Sequence, residues 1–213
     1  MKNILSKTRA FLDNYDIINI GKSNKLLIFL SLALFVGMIF GSLAINSVNM
    51  EVIHNLDFLF SSDFQERISQ SSLDVFASSL STSAFFILCL EIVALSFWGV
   101  ALVPSIILFK GLGLGLTAGY LYSIYGLKGV AFYILILLPG IFISSIGLVL
   151  FSVDAVKFSR KFAGKVLPKP NTDRLWDDLT THLKKAGYCL VMLAFAALID
   201  MAFMAMFARF FEF

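Results

Sequence analysis

Within the long apolar stretches of this chain, three ionisable side chains stand out as able to do chemistry: Glu91, Lys110 and Asp200. A charge at mid-membrane costs about 2.5–3.5 kcal/mol, so such residues pair, face the protein interior or line a polar path. Glu91 lies seven residues before Trp98 and Lys110 seven after Val103. In an antiparallel hairpin both sit roughly 10 Å below the same face. That placement allows an ion pair, snorkelling of Lys110 to the interface, or a proton or ion path that includes Asp200. Asp154 marks the end of a span. His54 and His182 fall in loops far apart, and His54 lies near Asp57.

The second signal is a glycine pattern. Gly111, Gly115 and Gly119 recur every fourth residue on one helix face, and Gly37 and Gly41 supply another such face. Faces of this kind let two helices approach backbone to backbone. The run is not a dinucleotide fingerprint, which requires a strand before it in a βαβ unit. Pro104 and Pro139 predict kinks, and Pro139 frees a carbonyl that neighbouring groups must satisfy. The chain carries no H-E-x-x-H, no G-x-S-x-G, no paired-glutamate protease motif and no Cys/His cluster. We therefore expect no catalytic residue, no metal, no cofactor and no enzyme. Cys89 and Cys189 lie in apolar runs and read as reduced packing residues.

The elements that must position these residues follow from composition. Of 213 residues, 59% are hydrophobic and 15% charged, and 23 are Phe. A soluble domain carries about a quarter of its residues as charges. Mean hydropathy is +0.88. A net charge of +3 without a concentrated basic stripe argues against a nucleic-acid partner. The fold class expected is all-α: a polytopic transmembrane bundle of about five spans, with amphipathic interfacial helices in its loops.

A bilayer core of about 30 Å needs about 20 apolar residues. The spans expected are 26–45, 79–98, 103–122, 129–151 and 188–207, after an N-terminal segment 1–25 that is not a cleavable signal. Turns fall around Trp98–Pro104 and Tyr122–Gly129. The segment 1–25 holds five Lys or Arg and 152–187 holds eight, whereas 46–78 holds Arg67 alone against five acids. Positive residues stay inside, so both basic segments are expected in the cytoplasm and the C-terminus outside. In 46–78, apolar residues recur at helical spacing between acids, which suggests a helix on the membrane surface. Segment 152–187 divides at Pro168 and Pro170. Before the break, Phe158, Phe162 and Val166 alternate with Lys and Arg, as in an interfacial helix that favours anionic lipid. After it, Asn171 or Thr172 caps a helix with acids in its first turns and Lys184 and Lys185 at its end.

FVGMIFGSLAINS (35–47), FKGLGLGLTAGYL (109–121) and YGLKGVAFYILILLPG (125–140) together resemble the stage II sporulation protein M family of bacterial integral membrane proteins. The resemblance spans roughly residues 25–207. It implies a membrane scaffold that recruits a lytic transglycosylase and an amidase, peptidoglycan hydrolases, to the engulfing septal membrane. The glycines and Lys110 then become determinants of the fold, and Asp57, Asp63 and Glu66 in the acidic loop become candidates for partner binding. Some relatives are implicated in bacteriocin export or immunity, which makes transporter subunits the alternative partners and Glu91, Lys110 and Asp200 the alternative working residues. The lipid bilayer is a partner in either case, and a homo-oligomer stays open.

Overall fold

The computed structural model of the chain describes residues 17–47, 72–166 and 172–207, all but the turn at 95–98 helical. The elements are α1 (Ile17–Ser47), α2 (Ser72–Ala94), α3 (Gly99–Phe132), a π-helical turn (Tyr133–Leu137), α4 (Leu138–Val166) and α5 (Thr172–Phe207). Four apolar helical stretches are long enough to cross a bilayer, and the longest, Gly99–Phe162, has 64 residues. As a straight rod that stretch would reach roughly 96 Å, about three bilayer cores. It folds back instead. Gly126, at φ 58° and ψ −135°, breaks the helix inside α3. A positive φ of this kind is open to glycine without steric cost.

Two buried clusters record the resulting topology. One joins Leu30 and Leu34 of α1, Leu90 and Ala94 of α2, Val103 and Ile107 of α3, Leu148 to Phe158 of α4, and Ala186 to Leu193 of α5. The other joins Ile45, Val75, Tyr120 and Leu121 to Phe132, Ile136 and Met204. α1, α2 and α5 give one end to each cluster, α3 meets the second on both sides of Gly126, and α4 reaches it through the partly buried Ile141, so successive arms run in alternating directions. The first cluster lies at what we call the basic end, where Lys157, Arg160, Lys161, Lys184 and Lys185 emerge, and the second at the far end. Large apolar side chains such as Phe29, Phe35, Phe40, Phe85, Phe142 and Phe195 point outward. In water they would be a liability, but against acyl chains they are the favourable surface.

The glycine faces meet each other. A Cβ built on Gly111 or Gly115 would overlap the carbonyl oxygen of Leu34 or Met38, and one on Gly37 or Gly41 would overlap that of Leu108 or Leu112. At Gly119 the nearest atom would be Ser42 O, at 3.0 Å. Gly113 lies off this seam with nothing near it. The expected close approach is thus between α1 and α3.

Several local expectations change. Helices run longer than the expected spans: α4 continues to Val166 and α5 begins at Thr172. Residues 152–166 and 172–187 therefore extend α4 and α5, and the two extensions are joined by ion pairs. Pro104 sits in the second turn of α3, and the helix passes it with helical φ/ψ. A proline this near the start forfeits few hydrogen bonds. Pro139 instead follows the π-helical turn, whose extra residue per turn makes room where a ring would clash with the preceding turn. Asp57, Asp63, Glu66 and His54 lie outside the described residues.

Candidate functional site

The polar residues of the interior form contacts at separate heights. The most enclosed lies at the basic end. His182 of α5 is 4% exposed, and its ring stacks on Phe158 at 4.5 Å between centroids and 7° between planes. Phe151 flanks it at 5.3 Å and 20°. Both phenyl rings come from α4 about two turns apart, so they clamp the imidazole edge outward. That edge meets α2: His182 Nε2 lies 3.4 Å from Glu91 Oε2. The contact is an ion pair when the imidazole is protonated and a weaker polar contact when it is not. Its alignment falls short of a hydrogen bond, and Glu91 Oε1 and His182 Nε2 have no hydrogen-bond partner among the described residues.

Lys110 is buried in α3, with Nζ 4.6 Å from the centroid of the Phe86 ring on α2. A desolvated cation over an aromatic face gains about 2 kcal/mol. Asp200 is buried in α5, and its Oδ2 accepts a hydrogen bond from Ser79 Oγ of α2 at 2.6 Å. Its carboxylate also lies against the Cα of Gly140, where a Cβ would overlap it. Ser79 precedes Glu91 by twelve residues on α2, roughly 18 Å of helix. Glu91 and Asp200 thus belong to different sites, whereas Glu91 and Phe86, the partner of Lys110, share α2 within two turns.

Further contacts pin the basic end. The α2–α3 turn is held to α4 by Ser159 Oγ, which donates to Ser96 O at 2.8 Å, and Gly99 packs against Ser159. Cys189 is a free thiol whose Sγ approaches Gly147 O at 3.4 Å, close enough to bring α4 and α5 together. Two ion pairs join the extensions, Lys185 to Asp154 at 2.7 Å and Lys161 to Asp178 at 3.8 Å. Among the described residues no three His, Cys, Asp or Glu side chains converge as a metal site.

Of the residues singled out in the sequence, the five glycines come together and Glu91, Lys110 and Asp200 each bridge two helices. His182, expected in a loop, lies within α5, and Ser79 and Gly140 are site residues that sequence reasoning does not single out. A signal for His182 exists: His182, Ala186, Cys189, Leu193, Ala196, Asp200 and Met204 recur every three or four residues, and all are buried. Compared with family models, curated proteins and solved structures, the chain matches none. The resemblance to the stage II sporulation protein M family therefore rests on the residues quoted for it.

Proposed function

We propose that the chain is a non-enzymatic membrane scaffold, resembling the sporulation engulfment protein that anchors cell-wall hydrolases at the septal membrane. The observation that carries this reading is how the interior polar groups are used: Glu91 meets His182, Lys110 meets Phe86 and Asp200 meets Ser79, each across a helix boundary and at different heights. Groups engaged in this way clamp neighbouring helices. Together with the α1–α3 seam they make a stiff platform, which suits the display of a loop. In this reading the basic end faces the cytoplasm, as its Lys and Arg content favours, and the acidic segment around Asp57, Asp63 and Glu66 faces the wall. The partner is an amidase or lytic transglycosylase acting on peptidoglycan.

The test is crosslinking in cells followed by mild-detergent purification of the tagged protein and identification of what comes with it. Enrichment of a wall hydrolase, lost when Asp57, Asp63 and Glu66 are replaced by Asn and Gln at unchanged protein abundance, is the expected result. A purification that yields transporter subunits or a small hydrophobic peptide overturns it. One observation favours a second reading, in transport, export or bacteriocin immunity: Glu91 Oε1 and His182 Nε2 are buried without hydrogen-bond partners among the described residues. Under that reading Glu91→Gln abolishes a flux or resistance phenotype while protein abundance holds.

A further inference from the structure

At the basic end, the α4 and α5 extensions enclose a cleft of about 330 Å³. Clefts that take small ligands run from about 300 to 1,000 Å³. Its walls are two helical faces laid antiparallel. α4 presents Asp154, Lys157 and Lys161, and α5 presents Asp178 and Lys185, spacings of three, four and seven that place each set on one face. The Asp154–Lys185 and Lys161–Asp178 pairs bracket the cleft. Arg160 also lines it, so its four Lys and Arg outnumber its acids by two.

The cleft also has an apolar side. Leu26, where the apolar run of α1 begins, lines it, as does Phe158, whose ring covers His182. The site therefore sits where hydrocarbon gives way to headgroups, with cations above and an apolar wall leading inward. Lys and Arg at that level hold phosphate oxygens by charge-assisted hydrogen bonds. We propose that this cleft binds a phosphate group, either that of an anionic phospholipid headgroup or that of a soluble phosphate. The site goes beyond the scaffold reading and does not depend on it, since partner capture and phosphate binding are measured separately.

The experiment uses the full chain in nanodiscs of phosphatidylcholine with a rising fraction of phosphatidylglycerol, reading retained lipid by native mass spectrometry and thermal stability in parallel. A second arm replaces phosphatidylglycerol with inorganic phosphate. We expect selective retention of phosphatidylglycerol by the wild type, and a loss of about fivefold per cation removed in Lys157→Gln/Arg160→Gln, the factor that ~1 kcal/mol per basic residue at a membrane surface implies. The charge-conserving Lys157→Arg/Arg160→Lys keeps the binding, and Lys184→Gln, outside the cleft, leaves it unchanged. Stabilisation by inorganic phosphate alone that the double variant loses supports the site and assigns it to a soluble ligand. No selective binding in either arm, or an equal loss in Lys184→Gln, overturns the proposal.

Discussion

Between α1 and α3 the backbones touch at Gly37, Gly41, Gly111 and Gly115, with no side chain between them. Between α4 and α5 the contact is made of side chains: an imidazole between phenyl rings, a thiol on a carbonyl and two ion pairs. In lipid the hydrophobic effect does not drive helices together, so both solutions rely on contact quality. The glycine seam obtains it from shape. Its backbones approach so closely that the interface tolerates no added atom, and it carries no group that chemistry could adjust. The α4–α5 interface is built from groups with charge and protons, and it continues beyond the apolar spans into the basic end. The comparison suggests a division of labour, with one half of the bundle locked by geometry and the other open to its surroundings.

The largest effect is expected at the seam. Gly115→Val puts branched carbons where Met38 O already lies, so α1 and α3 must separate along several turns. We expect a loss of ~3 kcal/mol or more, the upper range for overpacking, measured by denaturant unfolding in mixed micelles. Gly113→Val lies on the same helix at a position where an added Cβ meets nothing within 4 Å. It should change stability by no more than about 0.5 kcal/mol. Equal losses at the two positions would show that helix propensity, not the seam, is being measured.

Next comes the buried histidine. His182→Ala removes a stacked ring and takes from Glu91 its Nε2 contact, which should cost about 2 kcal/mol. The double-mutant cycle with Glu91→Gln separates the two contributions. A coupling energy of about 1 kcal/mol is expected for residues in contact. Strict additivity would mean that His182 acts through stacking on Phe151 and Phe158 alone.

These two regions also differ in how far they could be read in the sequence. Glycines four apart are visible because spacing alone defines the face, and the turn expected around Tyr122–Gly129 is visible because glycine frees the backbone, as it does at Gly126. Glu91 and Asp200 are conspicuous against apolar neighbours. His182 is not, because it stands in the polar stretch Asp177-Asp178-Leu179-Thr180-Thr181-His182-Leu183-Lys184-Lys185. Local polarity there outweighs the three-and-four periodicity that continues from the apolar half of α5. Partners across helices, such as Ser79 for Asp200 or Phe86 for Lys110, depend on the rotation of each helix about its axis. That rotation is a property of the whole bundle, and no single segment states it.

A smaller effect is expected where a single hydrogen bond spans two helices. Ser79→Ala removes the donor to Asp200 Oδ2 and should cost ~1 kcal/mol, within the range of interhelical hydrogen bonds in membranes. Asp200→Asn keeps the shape and should cost about as much or less. If Ser79→Ala instead proved as damaging as Gly115→Val, the far end would rank with the seam as a geometric lock.

The smallest effects belong to the ion pairs of the extensions, and their order matters more than their size. Lys185 and Asp154 are 48% and 31% exposed and 2.7 Å apart, whereas Lys161 and Asp178 are 65% and 28% exposed and 3.8 Å apart. Exposed pairs contribute about 0.2–1 kcal/mol and are screened by salt. Lys185→Gln should therefore cost more than Lys161→Gln, both below 1 kcal/mol by the same principle. Both losses should shrink when unfolding is repeated at high salt, while the Gly115→Val loss stays the same. A salt-independent loss at Lys185 would place that pair in the lipid-shielded part of the bundle, and of the two pairs Lys161–Asp178 would then be the one open to the surroundings.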